Sequence, residues 1–275
     1  MLTDDDRHLI RLTLAEIADV LDTMATVAVG SDPPSDSLAG QHLASELNVP
    51  SFGGFPIVME ANFSMLLAAL SGTAHLRAYC DLLETGTTAL GTLTRGAVEA
   101  FSKAYYLLSP DSTPELVARH LALSKHELVH PQKHSRFRDV EGNEFSGKDY
   151  PKVHDQIQAT LPLPTPAPVY APQRVQALLT AGLREGTASP EYYSQLSGAA
   201  HAVTSALGMY LQAPDRSPRL VYPRAIALDH CGYLFVAVAT VSERCISNFG
   251  LPAQSQDEWR LARLASERAL RSLGH

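Results

Sequence analysis

The same six-residue frame occurs twice in the chain, as LSGTAH at Leu70–His75 and as LSGAAH at Leu196–His201. Each copy places a serine and a histidine four residues apart on one face of a helix, where both side chains could act on one ligand. The residues that flank the two copies do not match, so the frame does not indicate a duplicated unit. Its glycine and alanine instead predict a close approach by a neighbouring helix.

Further polar residues surround the second copy. Tyr193, Ser197 and His201 follow one another at steps of four, roughly along one stripe of a helix. In another helical segment, TRGAVEAFSKAYYLL, Arg95 and Glu99 form an i, i+4 pair among residues of core character. If that pair is buried, each charge needs further hydrogen bonds, because an orphaned buried charge is strongly destabilising. The Tyr–Ser–His stripe would supply those bonds, so we expect the two helices to meet here.

Two interpretations of this cluster remain open. It is either a structural network whose polar groups satisfy one another, or a pocket with an arginine for an anion, a carboxylate base and a titrating histidine. The pocket interpretation favours a small polar or anionic ligand, which the protein would bind and, if it is an enzyme, transform. The candidate catalytic residues are His201, Glu99 and Ser197, and the candidate ligand-binding residues are Arg95, Tyr193 and His75.

The two helical segments also carry a family resemblance, over about Leu66–Leu108 and Glu191–Leu211. TLTRGAVEAFSKAYYLL and YYSQLSGAAHAV together resemble a group of uncharacterised, mainly actinobacterial all-helical proteins, in which an R-x3-E helix pairs with a Y-x3-S-x3-H helix. These proteins in turn distantly resemble HEPN-type bundles, known for RNA-cleaving toxins and defence proteins as well as inactive binding relatives. The resemblance implies a HEPN-like arrangement and a homodimer.

The resemblance also implies an alternative function, a HEPN-like ribonuclease or an inactive defence or regulatory protein. HEPN nucleases carry an arginine and a histidine a few residues apart. Arg119–His126 and Arg224–His230 fit that description. About two such pairs are expected by chance in a chain with this many arginines and histidines, so the pattern adds no support for nuclease activity.

A second alternative function is a zinc hydrolase. His126, Glu127 and His130 match the order H-E-x-x-H, in which two histidines one helical turn apart bind zinc and the glutamate acts as a base. A proline directly after the second histidine predicts that the helix ends there. The third ligand would have to come from the following loop, from His154 or Asp155. Because the helix ends directly after the second histidine and offers no third ligand of its own, we predict no metal and no cofactor.

The elements that position these residues are helical. Apolar residues recur at steps of three and four from Ile10 to Met24, and Thr3 with Asp6 resembles a capping box. Few segments alternate with period two, so we predict an all-α fold, a single helical bundle domain over residues 1–275. Further helical patterns cover approximately residues 56–83, 87–108, 114–130, 173–183, 190–211, 223–249 and 257–273.

Two irregular excursions interrupt the predicted bundle, at about residues 30–56 and 131–172. The second contains LPLPTPAP, which predicts an extended polyproline segment. Loops of this length inside a compact domain are usually lids, binding loops or connectors. No shift in composition indicates a domain boundary, so both excursions are assigned to the one domain.

Composition limits the partners of the protein. The net charge is −7 and no lysine or arginine run is dense, which disfavours nucleic acid as a partner but leaves a local basic groove open. Three widely spaced cysteines without a CxxC motif suit a reducing compartment, where they would be small buried residues. An acidic N-terminus and the lack of a long uninterrupted apolar stretch predict a cytoplasmic protein without a membrane partner.

Overall fold

The computed structural model describes residues 2–51, 55–128, 136–138, 144–146, 150–183, 190–201, 203–212 and 219–274. The predicted all-α fold is confirmed, since the strands form only two short antiparallel hairpins in the described residues. The helices are α1 Asp4–Gly30, α2 Leu38–Leu43, α3 Ile57–Leu82, α4 Ala89–Leu108, α5 Thr113–Leu128, α6 Tyr150–Thr160, α7 Ala171–Gly182, α8 Pro190–Ala200, α9 Thr204–Leu207, α10 Arg224–Phe249 and α11 Ala253–Ser272. The strands are β1 Arg136–Arg138, β2 Glu144–Ser146, β3 Leu211–Gln212 and β4 Arg219–Leu220.

Helix α4 lies at the centre of the bundle. It packs along α3 and also contacts α10, α7 and α8. Helix α1 covers the other side of α3 and contacts α10 and α11. Helix α4 therefore reaches several neighbouring helices, α5 among them, so a polar residue on this helix can meet partners from distant parts of the sequence.

Helix α1 begins and packs as its sequence predicts. The Thr3 hydroxyl accepts a hydrogen bond from the Asp6 amide at 3.1 Å, and the Asp6 carboxylate accepts one from the Thr3 amide at 2.9 Å. This reciprocal pair is a capping box, which satisfies two amides that the first helical turn leaves without partners. The apolar stripe that follows is completely buried: Ile10, Leu14, Ile17, Leu21 and Met24.

The glycines of the two LSGxAH frames lie at close contacts, as predicted. A Cβ atom on Gly72 would stand 2.5 Å from the ring of Phe101, so α3 and α4 can approach only because this residue has no side chain. A Cβ on Gly198 would stand 2.7 Å from the Cβ of Ala206. The shared frame is therefore a common packing device at two unrelated contacts.

The prediction of one continuous helix over residues 190–211 is wrong. Helix α8 ends at Ala200, and the short helix α9 begins at Thr204. The amide of Val203 bonds back to the carbonyl of Gly198 at 2.8 Å, which turns the chain at His201. The turn brings Ala206 onto Gly198, where only a glycine leaves room for the contact. Packing of this short return segment overrides the helical pattern.

The two excursions are less irregular than the sequence predicts. The first contains α2, and the second contains α6 together with the β1–β2 hairpin. Helix α6 buries Ile157 and His154, which attaches the excursion to the bundle. The Pro-rich segment between α6 and α7 has no helix or strand, in line with the predicted extended conformation. The Tyr106 hydroxyl donates a hydrogen bond to the Ala167 carbonyl of that segment at 2.7 Å.

Two helices are long and apolar enough to cross a membrane by length and composition alone, Ile57–Thr85 (α3 with the turn after it) and Arg224–Phe249. In the most apolar 18-residue stretch of the first helix, half of the residues are buried inside the bundle. In that of the second helix, two thirds are buried. A core helix of a soluble protein has the same composition, so this observation leaves the predicted cytoplasmic location untested. The three cysteines are free and buried, as predicted.

Candidate functional site

Helix α4 positions Arg95 and Glu99 one turn apart on the side that faces α8. The Nε atom of Arg95 donates a hydrogen bond to Glu99 Oε1 at 2.7 Å, and the two side chains are 20% and 28% exposed. The charges are thus partly buried and directly paired. Burial opposes the charge of Arg95, but the Glu99 carboxylate outweighs burial and raises the pKa of the guanidinium above its ordinary value.

Tyr193 of α8 completes the hydrogen bonding of Glu99. Its hydroxyl donates to Glu99 Oε1 at 2.6 Å, so one carboxylate oxygen accepts from two helices. The guanidinium carbon of Arg95 lies 5.8 Å from the centre of the Tyr193 ring, within the range of a cation–π contact. Burial, followed by the hydrogen bond and charge of Glu99, raises the pKa of Tyr193. The tyrosine therefore stays a neutral donor over the physiological range.

His201 joins the same cluster from the end of α8. Its Nε2 atom lies 2.9 Å from Nη1 of Arg95. A guanidinium can only donate, so this nitrogen must accept, and the neutral ring carries its proton on Nδ1. The ring itself is exposed to solvent. His201 therefore offers a donor to the solvent side, while the nitrogen that would act as a base is occupied by Arg95.

A surface groove of about 750 Å³ runs beside this cluster. Tyr193, Ser197 and His201 line it, and hydrogen bonds connect Tyr193 to Glu99 and His201 to Arg95. The Ser197 side chain makes no hydrogen bond to another described residue, and no bond joins it to His201. The full lining is Pro172, Glu191, Tyr193, Ser194, Gln195, Ser197, Gly198, His201, Val203, Ala206 and Met209.

His75 is not part of this arrangement. Its ring packs over Gly96 on the face of α4 that α3 covers, where a Cβ on the glycine would meet the ring at 3.0 Å. Within the described part of the chain His75 has no hydrogen bond to Arg95, Glu99 or His201. The sequence grouped His75 with the site because the two frames match, and that match reflects packing alone.

The arginine–histidine pairs suggested by the HEPN resemblance do not present two side chains to one surface. His230 is only 4% exposed and bonds through Nδ1 to the hydroxyl of Tyr222. Arg224 forms a bidentate ion pair with Asp6, with Nη2 to Oδ1 at 2.7 Å. Burial lowers the pKa of His230 to about 3, so the ring is neutral inside a cluster of tyrosines. In the other pair, Arg119 binds backbone and side-chain groups at the α4–α5 junction.

The residues of the H-E-x-x-H sequence contact separate partners. The exposed His126 stands edge-on to the ring of Tyr170, with 5.2 Å between ring centres. Glu127 forms an ion pair with Lys103. His130 lies outside the described residues. Of the two candidates for a third ligand, Asp155 pairs with Lys125 at 2.6 Å, and His154 is buried beside His120 and Glu60.

A different histidine cluster lies where α3, α5 and α6 meet, and of its three members the sequence analysis named only His154, as a possible third ligand for His126 and His130. Glu60, His120 and His154 each place a potential ligand atom within 4.8 Å of the other two. Both histidines are 1% exposed. Burial lowers the pKa of His154 to about 4. Burial also acts to raise the pKa of Glu60, but the nearby His120 and the Ser51 hydroxyl outweigh it and lower that pKa. The three residues are far apart in sequence, so no motif could have joined them.

Comparison with known proteins adds no relative. No protein-family model, curated protein or solved structure matches this chain. The resemblance to actinobacterial helical proteins and to HEPN bundles therefore stays a prediction. Any functional assignment rests on the geometry of the two clusters described above.

Proposed function

We propose that the groove beside α8 binds a small molecule with a polar or anionic head and an apolar part. Two unlike walls support this proposal. One wall, from α8 and its end, presents hydroxyl and imidazole groups, whereas the segment that turns back from it presents aliphatic side chains. The first set is Tyr193, Ser197 and His201, and the second is Val203, Ala206 and Met209.

The partly buried pair of Arg95 and Glu99 favours a hydrogen-bond acceptor as the ligand of the polar wall. Arg95 bonds to Nε2 of His201, and this bond leaves Nδ1–H of the ring as a donor to a ligand. Ser197 adds a hydroxyl on the same wall. A carboxylate, phosphate or other acceptor would take a hydrogen bond from each of these two groups. Glu99 holds the arginine in place and keeps Tyr193 oriented.

The same geometry favours binding over acid–base catalysis. For His201 to take a proton through Nε2, Arg95 would first have to leave that nitrogen. Ser197 has no hydrogen bond to His201 that would activate its hydroxyl among the described residues. The volume of about 750 Å³ lies within the range usual for small-molecule sites. We therefore assign Tyr193, Ser197 and His201 to ligand binding, and Arg95 and Glu99 to positioning these groups.

A panel of small carboxylic acids and phosphate esters, screened by thermal shift and followed by calorimetry, tests the proposal. Val203→Trp fills the groove, and Leu12→Trp is the matched control because both aliphatic side chains are 48% exposed. We expect at least one compound to bind the wild type and the control but not the groove variant. His201→Gln should weaken that compound by about tenfold, the loss of one charge-assisted or strong hydrogen bond. Binding that survives Val203→Trp, or an empty screen, contradicts the proposal.

We further propose that the protein is cytoplasmic and that it forms a homodimer. The location is supported by three buried free cysteines, which suit a reducing compartment. The dimer is supported only by the HEPN resemblance, and light scattering during size-exclusion chromatography measures it directly. A monomer over the whole range of accessible concentrations would count against that resemblance.

A further inference from the structure

We propose that Glu60, His120 and His154 form a binding site for one divalent transition-metal ion, with zinc the best fit. The site is separate from the groove and does not depend on it. Glu60 lies in the first turn of α3, His120 in the middle of α5 and His154 in α6. One ion would thus connect three helices, one of which belongs to the long excursion.

The distances match a metal centre better than a direct ion pair. Nε2 of His120 and Oε1 of Glu60 are 3.5 Å apart, which is too long for a good hydrogen bond. Two ligands of a tetrahedral zinc ion, each about 2.0–2.1 Å from the metal, are separated by about 3.3 Å. All three ligand atoms already lie within 4.8 Å of one another.

The hydrogen bonding of His120 points in the same direction. Its ring is 1% exposed, and neither ring nitrogen has a hydrogen-bond partner among the described residues. A buried polar atom without a partner destabilises the fold, so native structures rarely keep one. A metal ion bound to one nitrogen would satisfy that atom. The rings of His120 and His154 are neighbours, edge to face with 6.0 Å between their centres, so one ion could reach a nitrogen of each.

The donor set indicates the class of metal. Two imidazoles and one carboxylate suit zinc and other first-row transition ions, whereas calcium and magnesium prefer oxygen ligands alone. Among these ions zinc accepts a tetrahedral site without a geometric penalty. The fourth position would be filled by water or by the hydroxyl of Ser51, which is 8% exposed and lies beside Glu60. Because both histidines are almost fully buried, we assign the ion a structural role, the attachment of α6 to α3 and α5.

Zinc titration of the full chain tests the site. The protein is prepared without a histidine tag and stripped with a chelator, and zinc affinity is measured by competition with a chromophoric chelator. We expect one tight equivalent in the wild type and a higher melting temperature when it is bound. Glu60→Gln and His154→Ala should each weaken binding by about 100-fold or more, since even an outer hydrogen-bond partner contributes roughly 10–100-fold. Manganese should bind more weakly than zinc.

His126→Ala is the matched control, because His126 lies on the same helix as His120 but is exposed. It should keep the tight equivalent and the shift in melting temperature. Absence of tight binding in the wild type overturns the proposal, as does binding that is lost in His126→Ala and kept in Glu60→Gln. Circular dichroism checks that each variant folds. Glu60 is 18% exposed and glutamine has nearly the same shape, so this variant carries the test if a histidine variant does not fold.

Discussion

Nε2 of His201 lies 2.9 Å from Nη1 of Arg95, across the contact between the end of α8 and the centre of α4. Since the guanidinium can only donate, this contact fixes the neutral tautomer of His201 with its proton on Nδ1. The contact therefore determines what His201 can offer to a ligand.

Removal of the arginine should release the tautomer of His201. In Arg95→Ala we expect the ring to shift from the Nδ1–H form toward a mixture that includes Nε2–H, because no donor then holds Nε2. Long-range proton–nitrogen NMR spectra of the imidazole distinguish the two forms. Arg77→Ala is the control, since Arg77 pairs with Asp19 on another face of the bundle at 2.7 Å. A ring that is already in the Nε2–H form in the wild type contradicts the contact.

Loss of the Tyr193 hydroxyl should lower stability. Tyr193→Phe removes a donor to Glu99 that lies partly buried, so we expect the free energy of unfolding to fall by about 1 kcal/mol. Urea unfolding at neutral pH measures the difference. Tyr105→Phe is the matched control, because no hydrogen bond of the Tyr105 hydroxyl occurs within the described residues. Equal losses in the two variants would mean that the bond to Glu99 contributes nothing specific.

The cluster around Arg95 could be predicted because its parts follow local rules. Arg95 and Glu99 are one helical turn apart, and Tyr193 and Ser197 share a helical stripe, so the sequence alone shows which side chains point together. The position of His201 was predicted less well. Helix α8 stops at Ala200, and only the packing of the following segment determines where the ring goes.

The cluster of Glu60, His120 and His154 could not be predicted in the same way. Its members come from three helices, and their meeting depends on tertiary packing that no spacing in the sequence records. The helix that carries His154 has a weak apolar pattern and lies in a stretch rich in polar residues and proline, so it was expected to be irregular. The H-E-x-x-H sequence drew attention to His126, which is exposed, and away from the buried His120 one and a half turns earlier.

Acid should destabilise the protein through the buried His230. Burial lowers its pKa to about 3 in the folded chain, against an ordinary value of 6.5. Between these values only the unfolded chain takes up the proton, so the stabilisation is full above pH 6.5 and is lost as the pH falls toward 3. The groups that face the ring, Tyr222, Thr94 and Tyr192, are neutral and do not offset this effect.

We expect proton uptake by His230 in the unfolded chain to lower the free energy of unfolding by about 1.4 kcal/mol for each unit by which the pH falls within that window. Urea unfolding at pH 7, 6, 5 and 4 gives the slope. In His230→Gln the slope should become shallower by about that amount, even if the variant is less stable at every pH. His8→Gln, at an exposed position, should leave the slope unchanged. Parallel pH profiles for His230→Gln and the wild type would show that His230 does not titrate in this way.

Two glycines on the core helices should respond to alanine in opposite directions. Gly72→Ala puts a methyl group 2.5 Å from the ring of Phe101, and we expect the forced separation of α3 and α4 to destabilise the protein by about 1–3 kcal/mol. Gly232 lies inside α10 with no atom within 4 Å of a new Cβ, so Gly232→Ala should stabilise by about 1 kcal/mol through helix propensity. Urea unfolding of both variants compares them directly, with each as the control for the other. If both variants change the free energy of unfolding in the same direction, the close approach of α3 to α4 does not decide the outcome at Gly72.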